Sequence, residues 1–326
     1  MSRVGLVLGG GGITGAAYEM AALMALQLAT GWDPNNAEVV VGTSSGAFVT
    51  ALVRHDALTL DSMVLAHDDR EDVTERIRSH VFTKGPRGKV SRWVRHGLVP
   101  GVRSPGLTMF LGSPAPYHAL GIGEWVTTHI GPEAATSWPD RPTAIVAHDL
   151  AESQRTAFGT SGAPEVGLSE AVAASSAIPL LFRPFEIDGR LYVDGGVSSG
   201  THADLVLGAD QPLDLVLVLA PLAADVQRKR ARLHEKLFDR VGTKALQEEL
   251  ALIRSAWPDS DVLVLTPSPS VQNASRPNPM DASKAVATFM RTLIAMKRTL
   301  ARPDIWGRLE DHLFDEQVIM DRTGTG

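Results

Sequence analysis

Ser44 lies at the centre of Gly42-Thr43-Ser44-Ser45-Gly46, which follows a run of valines and precedes a helix-compatible stretch. A serine hydroxyl that a neighbouring base deprotonates attacks carbonyl carbon and forms an acyl-enzyme. Glycines on both sides allow the sharp turn of a nucleophile elbow, which holds the hydroxyl above the sheet at the positive end of the next helix. The same pattern also occurs in ordinary turns between a strand and a helix.

A glycine-rich stretch, Gly9-Gly10-Gly11-Gly12-Ile13-Thr14-Gly15, follows an apolar run near the N-terminus. Such a loop between a strand and a helix leaves backbone N–H groups free to face an anion. The spacing of Gly10, Gly12 and Gly15 also fits the dinucleotide fingerprint, but the next predicted strand ends in Val41-Gly42 without the acid that would bind a ribose. We therefore favour an oxyanion hole over a nucleotide site.

Asp194 ends a predicted hairpin strand and is followed by Gly195 and Gly196. A strand fixes the position of the carboxylate, and the glycines allow the chain to turn sharply after it. The simpler interpretation is an ordinary loop aspartate. His148 and Asp149 end another predicted strand, where we expect structural hydrogen bonds rather than catalysis.

Strands and helices alternate along the chain, which predicts an α/β fold with one domain spanning residues 1–326. We interpret residues 267–279 as a loop and the C-terminal tail as polar. The predicted strands cover residues 4–8, 39–41, 142–149, 155–158, 185–193 (a hairpin), 214–219 and 261–265, and the predicted helices cover 16–29, 47–54, 123–130, 168–176 and 281–300, with further helical character in 223–257.

Composition excludes several classes of function. The net charge of −6 argues against a general nucleic-acid binder. Because the chain has 0 cysteines, disulfides, thiolate metal sites and a cysteine nucleophile are excluded. The N-terminal apolar run is too short for a signal-peptide core, and no run reaches the roughly 20 residues of a membrane span. These observations predict a cytoplasmic protein.

The stretch 84–111 carries six basic residues and no acidic one, with scattered apolar side chains. Basic charge beside apolar groups suits an anionic membrane surface, so this segment predicts peripheral membrane contact with a lipid partner. A solvated loop over the core explains the composition equally well.

Taken together and in this order, the glycine loop, the serine elbow and Asp194-Gly195-Gly196 resemble the patatin-like phospholipase family. The stretch Ala174-Ser175-Ser176-Ala177-Ile178-Pro179 is similar to a further element of that family. The resemblance covers about residues 4–220, and residues 221–326 match only in general character.

The resemblance implies a three-layer α/β/α fold with a central, mostly parallel sheet, completed by residues 221–326. It implies hydrolysis of lipid esters, of phospholipase A or lysophospholipase type, without a metal or organic cofactor. The implied nucleophile is Ser44 and the implied base is Asp194. The backbone N–H groups of three residues would form the oxyanion hole, and five further glycines would support the turns: Gly10, Gly11 and Gly12 for the hole, and Gly15, Gly42, Gly46, Gly195 and Gly196 for the turns.

Two positions depart from the family pattern. Thr14 stands where an arginine or lysine is common, and Val197-Ser198-Ser199 follows Gly196 where an Asn-Pro is frequent. One alternative is a Ser-His-Asp hydrolase that uses His202, although that fold places its elbow after several strands rather than one. Another alternative, suggested by Thr14, is a lipid-binding protein with weak catalysis.

Overall fold

The computed structural model describes residues 2–60, 69–84, 115–223 and 233–314, without the side chains of 233–242. Nearly all of the predicted basic segment, residues 85–111, lies outside these ranges. Within them, no helix combines the length and apolar character that crossing a bilayer requires.

The core of the protein is an 8-stranded, mostly parallel sheet. The strands are β1 (Val4–Leu8), β2 (Val39–Thr43), β3 (Thr143–Asp149), β4 (Gln154–Phe158), β5 (Phe185–Ile187), β6 (Arg190–Asp194), β7 (Leu215–Leu219) and β8 (Asp261–Leu265). Pairings β1–β2, β1–β7, β2–β3 and β7–β8 are parallel, whereas β3–β4, β3–β6 and β5–β6 are antiparallel.

Helices cover both faces of the sheet, and short 3₁₀ turns connect several of the elements. The turns lie at Pro34–Asn36, Gly195–Val197, Ala203–Gly208 and Ala282–Lys284. The α-helices are α1 (Gly12–Thr30), α2 (Ser45–Arg54), α3 (Arg70–Val81), α4 (Leu120–Ile130), α5 (Pro132–Thr136), α6 (Leu168–Ser175), α7 (Leu233–Ala256), α8 (Pro269–Ser275), α9 (Ala285–Leu300) and α10 (Pro303–Leu313).

Two apolar cores lie on opposite faces of the sheet, because successive side chains of a strand point to opposite sides. In β1, Leu6 packs in the core formed with α1, α2, α6 and α9, while Val7 packs in the core formed with α7 and the 203–208 turn. Both residues are fully buried. The fold is therefore the predicted three-layer α/β/α arrangement.

Strand β3 brings the ends of two distant strands together. It pairs with β4 over residues 145–149 along one edge, so β2 and β6 must share the other edge. On that edge Thr43 of β2 is paired with Val146, and Asp194 of β6 is paired with Ala147. Because β2 is parallel and β6 antiparallel to β3, their carboxyl ends meet, and Ser44 follows directly from this junction.

Two local predictions were wrong. Helix α1 begins at Gly12 rather than at residue 16, and the loop predicted for 267–279 contains α8. Part of the polar C-terminal tail forms α10, whose apolar residues recur at helical spacing and are buried against the core: Ile305, Leu309 and Leu313.

Candidate active site

Ser44 lies in a strained turn between β2 and α2. Its backbone has φ 55° and ψ −119°, a left-handed conformation that is unfavourable for a residue with a side chain. The turn also requires glycine at position 46, since a Cβ there would collide with the carbonyl group of Leu8. The backbone is therefore strained at Ser44, and in this conformation the serine hydroxyl faces Asp194.

The Ser44 hydroxyl donates a hydrogen bond to Asp194, with 2.5 Å between Oγ and Oδ2. The other carboxylate oxygen, Oδ1, accepts a hydrogen bond of 2.7 Å from the Gly196 amide. Both side chains are 5% exposed. Burial disfavours the ionised carboxyl and raises the pKa of Asp194 from 3.8 to about 6, although its two hydrogen bonds act in the opposite direction. The carboxyl is thus a stronger base than an exposed aspartate and still ionises near neutral pH.

The stretch between α6 and Pro179 holds the serine and the aspartate in place. Ser175 Oγ accepts a hydrogen bond of 2.9 Å from the Ser44 amide and donates one of 2.6 Å to the Val146 carbonyl. The Ala177 carbonyl accepts a bond of 3.0 Å from the Asp194 amide. Ser175 and Ala177 therefore fix both backbones against β3. Both residues belong to the stretch Ala174 to Pro179 that resembles a family element, and this is the signal that could have identified them. The sequence did not predict their hydrogen bonds to Ser44 and Asp194.

The glycine loop lies beside Ser44, with one difference from the sequence-based expectation. The Gly10 amide donates a 2.7 Å hydrogen bond to the Gly200 carbonyl and is not free for a ligand. Gly10 instead provides space, because a Cβ at this position would lie 3.2 Å from Ser44 Cβ. Within the described ranges, the Gly11 and Gly12 amides have no backbone or side-chain acceptor, so these two remain as donors to an anion.

Pro279 and Met280, far downstream in the chain, lie at the N-terminal end of α1. The Pro279 carbonyl accepts a 3.0 Å hydrogen bond from the Thr14 amide, one of the N–H groups that a helix start leaves unpaired. Thr14 is buried, and no positive side chain stands at its position beside the loop. Met280 follows Pro279 and lines the same cavity as Ser44 and Gly12.

His202 and His148 form contacts with residues other than Ser44 and Asp194. His202 is buried, and its Nδ1 lies 3.1 Å from Thr43 Oγ1. Burial lowers the pKa of His202 to about 3, so its ring is neutral. His148 Nδ1 lies 2.6 Å from Ser198 Oγ, and Asp149 accepts hydrogen bonds from the amides that follow it. The structural interpretation of His148 and Asp149 agrees with these contacts.

An apolar cavity opens at Ser44. It encloses about 660 Å³ of empty space, part of which is open to solvent. Its few polar lining groups include Ser44 and Ser176, and most of its surface is hydrocarbon or thioether. Such a cavity suits an apolar chain attached to a reacting carbonyl group. The apolar lining includes Ile13, Ala16, Met20, Phe48, Ile77 and Trp125.

Comparison with known proteins supplies a family and a structural neighbour. Residues 6–207 match the family model described as patatin-like phospholipase. Among solved structures, the crystal structure of VipD from Legionella pneumophila has 16% sequence identity to this chain, with 98% of this chain and 72% of that chain covered and a TM-score of 0.36.

Proposed function

This chain belongs to the patatin-like phospholipase family, which indicates a lipid acyl hydrolase, and we propose that it cleaves lipid esters through a Ser44–Asp194 dyad. The finer assignment is a phospholipase A or lysophospholipase type of reaction. The observation that carries the proposal is the 2.5 Å hydrogen bond between Ser44 Oγ and Asp194 Oδ2 at the mouth of an apolar cavity.

In the acylation step, Ser44 Oγ attacks the carbonyl carbon of the ester while its proton passes to Asp194 Oδ2. The negative charge that develops on the carbonyl oxygen is stabilised by the Gly11 and Gly12 amides, at the start of α1. Losing one such donor typically costs about 2.7–4 kcal/mol of transition-state stabilisation. The tetrahedral intermediate then collapses, the C–O bond to the alcohol breaks, and protonated Asp194 transfers its proton to the leaving oxygen.

In the deacylation step, a water molecule takes the place of the alcohol. Asp194 accepts a proton from this water as its oxygen attacks the acyl-enzyme carbonyl, and the same proton returns to Ser44 Oγ as the ester bond breaks. The products are a carboxylic acid and the free enzyme. One carboxyl group thus acts as base and acid in both halves of the reaction, without a histidine.

The pH dependence of hydrolysis follows from the raised pKa of Asp194. The base must be ionised, so we expect kcat/KM to increase as pH rises through about 6 and to stay level above it. Below that point, each pH unit should cost about tenfold in kcat/KM. The measurement is a pH profile of p-nitrophenyl butanoate hydrolysis on enzyme shown to be folded at every pH. A level profile through pH 6 would contradict Asp194 as the base.

A variant of His202 separates the dyad from a Ser-His-Asp triad. We expect His202→Gln to retain kcat/KM within about tenfold, because His202 bonds to Thr43 and touches neither Ser44 nor Asp194 in the described contacts. A loss as large as that of Ser44→Ala, in folded protein, would favour the triad.

Fluorophosphonate labelling tests the remaining alternative, a lipid-binding protein with weak catalysis. Labelling of Ser44 in the wild-type protein indicates an activated nucleophile even when the natural lipid is absent. A folded wild-type protein that neither hydrolyses esters nor reacts with the label would overturn the proposed function.

A further inference from the structure

The cavity at Ser44 is a channel lined in part by two helices that run in the same direction. Helices α1 and α2 follow the neighbouring parallel strands β1 and β2, so both start at the catalytic edge and run back along the sheet. On α1 the lining residues are Gly12, Ile13, Ala16 and Met20, which recur on one helical face. The position of a lining residue along α1 therefore gives its depth in the channel, measured from Ser44.

The lining changes from polar to apolar with depth. The serine hydroxyls belong to Ser44, Ser45 and Ser176 at the catalytic end, whereas the residues farther along α1 and α2 are apolar. Met20 is the last α1 residue in the lining and is 2% exposed. On α2, Phe48 also lines the channel and packs on Trp125 with 4.9 Å between ring centroids. Met20 thus lies in the core at the far end of the α1 lining.

The depth of the channel sets the length of chain that it holds. Gly12 and Met20 are eight residues apart on α1, which corresponds to about 12 Å at 1.5 Å per residue. A zigzag hydrocarbon chain with C–C bonds of about 1.5 Å advances roughly 1.25 Å per carbon, so about ten carbons span this distance.

Resting on the proposed hydrolase function, we propose that the enzyme selects medium-chain acyl groups of about ten carbons, and that Met20 sets this limit by closing the channel. Up to the limit, each added methylene enters apolar surroundings and raises kcat/KM by about fourfold. Beyond it, further carbons meet the Met20 side chain, so kcat/KM falls.

The first test is a series of p-nitrophenyl esters, from butanoate through decanoate to hexadecanoate. We expect wild-type kcat/KM to peak near decanoate and to be at least about tenfold lower for hexadecanoate. In Met20→Ala the peak should move to dodecanoate or longer, so that the ratio of hexadecanoate to decanoate hydrolysis rises. Met290→Ala is the matched control, because Met290 is 50% exposed on α9 and does not line the channel.

A second variant covers the case in which Met20→Ala fails to fold. Ala16 is half-buried and lies midway between Gly12 and Met20. We expect Ala16→Leu to block the channel at about half its depth, so that decanoate hydrolysis falls at least about tenfold relative to butanoate hydrolysis. An unchanged chain-length profile in either folded variant, or a wild-type preference for hexadecanoate, would overturn the proposal.

Binding to the Ser44→Ala variant separates this proposal from the hydrolase proposal. By calorimetry, decanoate should bind more tightly than hexanoate, and hexadecanoate should gain nothing over decanoate. If wild-type protein hydrolyses no ester but this order of binding is observed, the channel proposal stands and the hydrolase proposal fails. Progressive tightening up to hexadecanoate would overturn the channel limit whatever the activity.

Discussion

Replacing Ser44 with alanine is expected to lower kcat/KM for ester hydrolysis by at least about four orders of magnitude. The reason is that no other hydroxyl in the described contacts bonds to Asp194, so the acyl-enzyme has no oxygen through which to form. The measurement is steady-state hydrolysis of p-nitrophenyl decanoate together with fluorophosphonate labelling. Label should be absent from the variant.

Ser45→Ala is the matched control for this loss. Its hydroxyl lies one residue away and, among the residues that the structure describes, makes one long hydrogen bond of 3.4 Å to the Gly9 carbonyl. We expect Ser45→Ala to keep kcat/KM within about tenfold of the wild type. Comparable activity in Ser44→Ala and wild type, after contaminating esterases are excluded, would show that the reaction does not use this elbow.

Asp194→Asn is expected to abolish most activity and to make the protein more stable at the same time. An amide cannot accept the serine proton, so kcat should fall by at least about three orders of magnitude. The stabilisation follows because the folded protein keeps an ionised carboxyl out of water, and the substitution removes that charge. Both effects are measured on one preparation, by hydrolysis and by urea unfolding.

The direction of the stability effect is set by the two pKa values of Asp194. The carboxyl has a pKa of 3.8 when unfolded and of about 6 when folded, so the free energy of unfolding falls as pH rises between these values. The buried carboxylate leaves the free energy of unfolding of the wild type unchanged below about pH 4 and lowers it by about 3 kcal/mol above about pH 6. Asp194→Asn should therefore have a free energy of unfolding about 3 kcal/mol higher than that of the wild type at pH 8 and equal to it at pH 4.

Asp204→Asn is the contrasting control, because Asp204 bonds to Arg155 through two hydrogen bonds of 2.7 and 2.6 Å. This substitution should lower stability at pH 8 and leave kcat near the wild-type value, because Asp204 contacts neither Ser44 nor its neighbours in the cavity. A loss of stability in Asp194→Asn at pH 8 would contradict the destabilising burial of the Asp194 charge.

The strands were predicted well because their sequences carry strong and local signals. Continuous apolar runs gave β1 and β8 with the observed bounds, and the Asp188-Gly189 turn between β5 and β6 has positive φ at both residues, as a tight hairpin requires. The start of α1 was missed because a glycine run has low helix propensity. What holds the helix there is the Pro279 carbonyl, more than 260 residues away in the chain.

The candidate site was predictable in its residues more than in its contacts. Local turn chemistry singled out Ser44 and the glycine loop as candidates, because strand ends and tight turns have characteristic neighbouring residues, whereas the role of Asp194 was implied only by the family resemblance. The hydrogen bonds from the Gly10 amide to Gly200 and from the Ser44 amide to Ser175 have no such signal in the neighbouring sequence. These bonds depend on which strands are neighbours in the sheet, and a single sequence does not determine this.

The shared edge of β3 has a consequence for the protein while it is being made. Ser44 and Asp194 are 150 residues apart, and they meet only when β6 pairs with β3 beyond the end of β2. During synthesis Ser44 emerges from the ribosome well before Asp194, because the chain is made from its N-terminus. The growing polypeptide therefore holds Ser44 without this hydrogen-bond partner until the hairpin docks, and the proposed dyad forms only in the finished sheet.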